Sequence, residues 1–280
     1  MSALAAAVAR RKAVASSAKR RKAAAVPAAA EPRALMRDYD AALSKIVDAL
    51  HAEAVAALRD EGVRVDAADG SAPMAPGAPG RVAARLEAMA KRLVEGREMI
   101  VPVERIAQGV VAFTRKQWAA QVKAALGIDL TTDPPMAAKI QAFRNENVDL
   151  IRSLADDNIN RVRLLLNDAG SGERVENIIT RLRQLTGASK SRASLIARDQ
   201  VLRLNGDVTE ARHAAAGVTE YIWRTSRDER VRPSHKALDG TRHAYAKPPV
   251  VDQRSGRRAN PGRDYQCRCV AEPMIPGFDA

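Results

Sequence analysis

Between residues 140 and 165, apolar pairs recur at a fixed interval: Ile140/Phe143, Ile151/Leu154 and Val162/Leu165, each eleven residues from the last. Eleven residues is close to three whole helical turns, so one long helix with this period keeps one apolar stripe. Asn147 and Asn158 hold matching places between the pairs and read as polar positions in a helix–helix seam. The period therefore commits the middle of the chain to long helices that bury one face against one another.

Helical spacing extends to both sides. "RALMRDYDAALSKIVDALHAEAVAALRDEG" reads as an amphipathic helix ending at Gly62, with His51 a surface or boundary residue. The stretch "DAADGSAPMAPGAPG" (66–80) is low in complexity and reads as a linker or exposed loop. Helical spacing resumes with Val82, Leu86, Met89 and Leu93, and a further helix is expected from Glu104 to Leu126, stopped by Gly127 and Pro134–Pro135. "GSGE" (170–173) makes a turn. "VENIITRLRQLTG" predicts a short helix with Gly187 in the C-terminal capping place. Ser189 then opens a long helix on the heptad Ala197, Val201, Leu204, Val208, Ala211 and Ala215, ended by Gly217. Aromatic residues are only 3% of the chain and alanine is abundant, which favours closely packed helices over a sandwich or barrel.

At Gly217 the period changes. In "VTEYIWRTS", Tyr221 and Trp223 share one face while Glu220, Ile222 and Arg224 take the other, the alternation of a strand. Beyond it Pro, Gly, Asp and Asn are dense, so strands must be short. The expected fold is mainly α with a small C-terminal α+β unit: long amphipathic helices packed as an extended bundle, then short strands and turns. The expected divisions are a basic disordered arm (1–33), an N-terminal helix (34–65), the linker (66–80), a helical body (81–217) and the α+β unit (218–280).

Charge is unevenly placed. Residues 1–30 carry seven Lys/Arg and no acid, and residues 224–270 carry twelve Lys/Arg against five acids, so the two ends hold the whole excess of a chain with net charge +13. Localised excess points to polyanion contact, with hydrated disorder as the plainer alternative. The N-terminus resembles a mitochondrial presequence in being Arg- and Ser-containing without acids, but reads better as a mobile basic arm. Its Arg10, Arg11, Lys12, Lys19, Arg20, Arg21 and Lys22 are the candidate contacts to nucleic acid. They would screen phosphates without reading bases. No apolar run reaches membrane-spanning length, so no membrane partner is expected.

One stretch looks like chemistry. "RDERVRPSHKALDG" (227–240) packs Asp228, Glu229, three arginines, His235 and Asp239 together. Asp228 and His235 could serve as acid and base, but the same residues describe a salt-bridged turn, with Gly240 free to take positive φ. Asp228 and Arg232 are expected to form an internal ion pair. The two cysteines, Cys267 and Cys269, sit at i and i+2 and would point to one face of a strand. With His235, or His243, they could hold a metal such as zinc; as two small buried hydrophobes they need no cofactor. A nuclease of the His–Asn–His kind would start at His235 and use Asn260, but His243 is the last histidine, so the order cannot be completed. Phosphate-loop, G-x-S-x-G and H-E-x-x-H patterns are missing.

Four blocks then occur in order: "IARDQ" on a helix, "GVTEYIW", "DERVRPSHKALDG", and "PGRDYQCRC". Together they resemble the phage Mu F-like minor head, or head morphogenesis, family, over about residues 140–275. The chain departs from that pattern in two places. Some members carry T-C-x-x-C after D-E-R, where this chain has Val231 to Ser234 and then His235; many carry His before P-G, where this chain has Asn260. A richer member could assemble four soft ligands; here only His235, Cys267 and Cys269 remain.

The resemblance implies a non-enzymatic minor capsid protein of a tailed phage or prophage. It would act near the portal during head assembly in the host bacterial cytoplasm and then lie inside the virion head. Portal protein, capsid or scaffold proteins and double-stranded DNA would be its partners. The C-R-C segment is expected to pair back near the D-E-R turn as a clasp built from Trp223, Asp228, Arg232, His235, Asp239, Gly240, Cys267, Arg268 and Cys269. The alternatives are an injected or toxin-like effector acting enzymatically on nucleic acid, and a purely architectural DNA-binding protein.

Overall fold

The computed structural model describes residues 27–60, 77–130, 132–169 and 175–275. The seven basic residues of the N-terminal arm and the 170–173 turn lie outside them. Among the described residues five long helices precede a region of short strands: α1 (Arg33–Asp60), α2 (Ala78–Glu95), α3 (Arg97–Leu126), α4 (Ala137–Asp168) and α5 (Val175–Ala215). Then follow β1 (Glu220–Arg224), a four-residue helix α6 (Pro233–Lys236), β2 (Arg242–Ala244), β3 (Val250–Asp252), β4 (Arg257–Arg258) and β5 (Val270–Pro273). The fold is thus mainly α with a small C-terminal α+β unit.

Three boundaries differ from expectation. Residues 78–80, read as linker, already belong to α2, which starts after Gly77 in the left-handed conformation with a proline in its first turn, where no intrahelical N–H is lost. α3 begins at Arg97 rather than Glu104 and carries Pro102 inside it; Val103, Ile106, Ala107 and Val110, all buried, continue one stripe that holds the helix together beyond the proline. The break expected at Gly187 and Ser189 does not occur, and α5 runs through both. A helix-interior glycine costs only about 1 kcal/mol. Here Ser189 is buried and accepts a hydrogen bond from Asn158 Nδ2 (2.9 Å), so the residue that suggested a new N-terminus instead anchors a helix pair.

The chain divides into two compact units. One comprises, among the described residues, 36–60, 77–106, 142–169 and 175–198, all in helices and the turns that join them. Its core holds Leu43, Ile46, Leu50, Leu86, Ile151 and Leu154. The asparagines of the eleven-residue repeat lie in this seam: Tyr39 donates its hydroxyl to Asn147 Oδ1 (2.6 Å), and Asn147 Nδ2 donates to the Phe143 carbonyl (2.7 Å). Each buried amide is thereby satisfied, as a polar group in an apolar seam must be. His51, half-buried, shares a hydrogen bond with Thr186 (2.8 Å).

The other unit comprises, among the described residues, 27–35, 107–130, 132–141 and 199–275. Trp118, Val122, Leu126, Ala216, Val218 and Ile275 form one of its clusters. Arg212 is buried here: its Nε and Nη2 reach the two Asp133 carboxylate oxygens at 2.6 Å, Nη2 donates to the Val111 carbonyl (3.0 Å), and Nη1 meets Thr114. α5 ends as expected at Gly217 (φ 79), where Val218 N–H returns to His213 O (2.8 Å) and Gly217 N–H to Ala214 O (3.0 Å). This pair of bonds turns the chain sharply out of the helix into β1.

His213 sits beside that turn, hydrogen-bonded to the Tyr245 hydroxyl (2.6 Å) and packed at a tilt against Trp118, ring centroids 4.8 Å apart. Burial, reinforced by Arg212, pushes its pKa down to about 3. The native state therefore keeps His213 neutral while the unfolded chain takes up a proton below its ordinary value of about 6.5. Stability from this group is fully present above pH 6.5 and is lost as pH falls toward 3, at about 1.4 kcal/mol per pH unit. The difference in urea-unfolding stability between the wild type and His213→Gln should carry this slope as pH falls from about 6.5 to 5, because the variant removes the one group.

Candidate functional site

In the three-stranded sheet β2-β1-β5, β1 is central and antiparallel to both neighbours, with Tyr221 opposite His243 and Pro273, and Trp223 opposite Ala271. Alternation puts Tyr221 and Trp223 on the buried face, as the sequence pattern requires. They join Val251, Ala259, Cys267, Cys269 and Ala271 in one apolar cluster. The β3–β4 ribbon carries a register shift between Val250 and Asp252.

The loop that leaves β1 is held at its two ends. Asp239 accepts the Thr225 N–H (2.9 Å), which depresses its pKa, and lies 3.5 Å from Arg227 Nε. Gly240, at φ 79, donates to the Trp223 carbonyl (2.8 Å), and Trp223 N–H returns to Thr241 O (2.9 Å). Only a residue tolerant of the left-handed region makes that close return easily.

Between these ends the expected ion pair is not made. Asp228 accepts from both Arg268 guanidinium nitrogens, with Nη2 to Oδ1 at 2.5 Å, and this pairing lowers its pKa. Arg232 donates to Asp264 Oδ2 (2.6 Å) and to the Tyr265 carbonyl. Each partner lies over thirty residues away in sequence, and the extended backbone of Arg232 (φ −61, ψ 147) carries the chain on into α6. The geometry favours two long-range pairs because both charges find a partner in the C-terminal segment. The D-E-R turn and the C-R-C segment therefore do lie side by side.

Asp264 is the centre that the sequence motifs did not mark. It is fully enclosed and takes Arg232 at 2.6 Å, Arg257 Nη2 at 2.6 Å and His235 Nε2 at 2.9 Å. Two guanidiniums and an imidazole compensate its buried charge, as such a group demands. Its position, three residues before Cys267 within the P-G-R-D block, was the available signal. Cys267 N–H also returns to the Asp264 carbonyl (3.0 Å), so the same residue sets the backbone that presents the first cysteine.

His235, on α6, faces the cysteines with its other nitrogen: Nδ1 is 3.6 Å from Cys267 Sγ and 3.5 Å from Cys269 Sγ. All three side chains are buried, and their ligand-type atoms lie within 4.8 Å of one another. Trp223 stands edge-on to the imidazole at 5.5 Å. The Cys269 thiol donates to Cys267, which, with His235 and against burial, holds Cys267 well below the usual thiol range and pushes Cys269 up. Burial disfavours charge on His235, but its hydrogen bonds to Cys267 and Asp264 outweigh that and raise its pKa. His243, the other candidate, lies apart from this group, bonded to Thr241 (2.7 Å).

The segment is fastened to α5 by close backbone approach. A Cβ on Gly206 would stand 2.8 Å from the Pro261 carbonyl, and one on Gly262 (φ +83) 3.0 Å from the Leu202 carbonyl. Asp199, in the "IARDQ" block, accepts the Gln266 N–H at 2.6 Å. Asn260 accepts from the Tyr221 hydroxyl (2.9 Å) and donates to the Tyr245 carbonyl (3.3 Å), tying the sheet to the P-G turn. Alongside runs a cleft of about 430 Å³ lined by Asp199, Arg203, Asp207, Arg257, Arg263 and Asp264 among others; His235 and the cysteines do not line it. Much of the basic excess at this end is paired internally: Arg224 with Glu272, Arg242 with Glu220, Arg263 with Asp207 and Glu210, besides the arginines on Asp228 and Asp264.

Among the described residues no helix is long and apolar enough to cross a membrane. Residues 162–272 match the model of the family described as Phage Mu protein F like protein. An uncharacterized protein of Haemophilus influenzae is 34% identical over 181 residues, covering 61% of this chain and 39% of its own length. The chain thus spans well under half of that relative. No solved structure matches.

Proposed function

We propose, from the Phage Mu F-like match over residues 162–272, that this chain is a non-enzymatic minor head protein acting in phage head morphogenesis. The observation that carries the reading is where the matched blocks meet. The D-E-R turn through Arg232, α6 through His235, β4 through Arg257 and the C-R-C segment through its backbone meet at Asp264, and the conspicuous charged residues are spent on one another. Trp223, Asp228, Arg232, His235, Asp239, Gly240, Cys267, Arg268 and Cys269 serve as a clasp that keeps a small docking unit rigid. The unit meets the portal protein, and capsid or scaffold proteins, in the host cytoplasm, and the protein remains inside the head.

DNA contact belongs to the N-terminal arm, since its seven cations have no acid within residues 1–30 while those of the C-terminal unit largely do. Such an arm binds double-stranded DNA by counterion release without base readout. With seven phosphate contacts, affinity should fall by about 10³–10⁴-fold between roughly 50 and 200 mM salt. Filter binding with unrelated duplexes should give equal affinities, and deletion of residues 2–26 should abolish retention. Plasmid should stay intact with Mg²⁺, Mn²⁺ or Zn²⁺; cleavage lost in His235→Ala would overturn the reading in favour of a nucleic-acid-directed enzyme.

A further inference from the structure

The geometry points to a soft divalent metal site, of the zinc class, made by His235 Nδ1, Cys267 Sγ and Cys269 Sγ in the C-terminal unit. Tetrahedral zinc with bonds of about 2.3 Å to sulfur and about 2.0–2.1 Å to nitrogen sets nitrogen and sulfur about 3.6 Å apart. The two Nδ1–Sγ separations are 3.6 and 3.5 Å. Both sulfurs stand at nearly the same distance from one nitrogen, which can make a good hydrogen bond with only one of them at a time. A cation between the three atoms satisfies all of them together.

The imidazole is already set for this role. Its Nε2 lies 2.9 Å from Asp264 Oδ2, so that nitrogen carries the proton and Nδ1 presents its lone pair to the sulfurs. A carboxylate behind a ligating histidine fixes ring orientation and raises ligand basicity, the usual outer-shell arrangement of protein zinc. Asp264 is itself fixed by Arg232 and Arg257. The backbone cooperates: Gln266, at φ 51, turns the chain before Cys267, and its N–H is pinned by Asp199 (2.6 Å).

Two thiolates and an imidazole select zinc over magnesium or calcium, which take oxygen. Binding releases thiol protons to solvent, so affinity rises with pH. Among the described residues no fourth His, Cys, Asp or Glu joins the group, so the fourth corner of the tetrahedron takes a non-protein donor such as water. The consequence is a cross-link between α6 and the C-R-C segment, independent of whether the protein acts at a portal.

The test uses tag-free full-length protein and Co²⁺ as a spectroscopic probe for Zn²⁺. The chain has no cysteines besides these two, so any thiolate-to-cobalt charge-transfer band reports this pair alone. One equivalent should produce that band together with intense tetrahedral visible bands, both displaced by Zn²⁺. Cys269→Ser and His235→Gln should lose the tetrahedral spectrum, and Asp264→Asn should weaken zinc binding by about 10–100-fold. Native mass spectrometry of the unaltered protein, which no misfolded variant can confuse, should show one retained zinc per chain. Absence of the charge-transfer band and of zinc in that spectrum would overturn the site. A cobalt spectrum unchanged in folded His235→Gln would overturn its composition.

Discussion

Arg212→Ala should destabilise the unit that holds Arg212 and Asp133 by about 3–5 kcal/mol, the usual cost of removing one partner from a buried, hydrogen-bonded charge pair. The guanidinium is 1% exposed and satisfies Asp133, Thr114 and the Val111 carbonyl at once. Alanine would take this donor from the Asp133 carboxylate, from Thr114 Oγ1 and from the Val111 carbonyl, of which only the last keeps a side-chain donor, and would open a cavity between α3 and α5. Asp133 is itself only 20% exposed, so water cannot fully replace the lost cation. Arg212→Lys keeps the charge but not the planar fork and should recover only part of the loss. Urea unfolding followed by circular dichroism measures both; a change under about 1 kcal/mol for the alanine variant would mean the cation is not structurally required.

Trp223→Ala should cost a comparable 3–5 kcal/mol or so, the range for deleting a fully enclosed aromatic ring. Trp223 has no exposed surface and fills the centre of the cluster containing Val251, Cys267, Cys269 and Ala271. It also walls the imidazole of His235, edge-on at 5.5 Å. Its loss should therefore loosen the D-E-R turn as well as the sheet, so amide exchange should accelerate at Gly240 and Cys267, whose N–H groups bond Trp223 O and Asp264 O. Trp223→Phe keeps a ring in the space and should be markedly milder. Equal protection of those two amides in the alanine variant would contradict a shared core.

What the sequence made legible were features that period alone decides. The eleven-residue repeat, the alternation of Tyr221 and Trp223, and Gly217 at the end of α5 each follow from local geometry, and each is present. Gly187 misled because glycine only weakens a helix, while Ser189 finds a buried partner in Asn158 that no local rule reveals. Asp228 and Arg232 misled differently. Four residues apart, they looked like natural partners, yet ion pairs form by proximity in the fold, and the C-terminal segment brings Arg268 and Asp264 nearer. Asp264 escaped notice because one carboxylate among five in a basic stretch carries no mark of its burial. Charge counting likewise overstated the C-terminal basic excess, since most of those arginines answer acids on other elements.

Incorporation of the protein into heads, as proposed, can be measured in assembled particles. On the proposed reading, heads from the phage or prophage that would carry the gene can be banded on a density gradient and their proteins quantified by mass spectrometry. The chain should band with portal-containing procapsids at far fewer copies than the major capsid protein, and deleting its gene should deplete DNA-filled heads. A chain that stays wholly in the unassembled fractions, with normal heads formed in its absence, would contradict that reading.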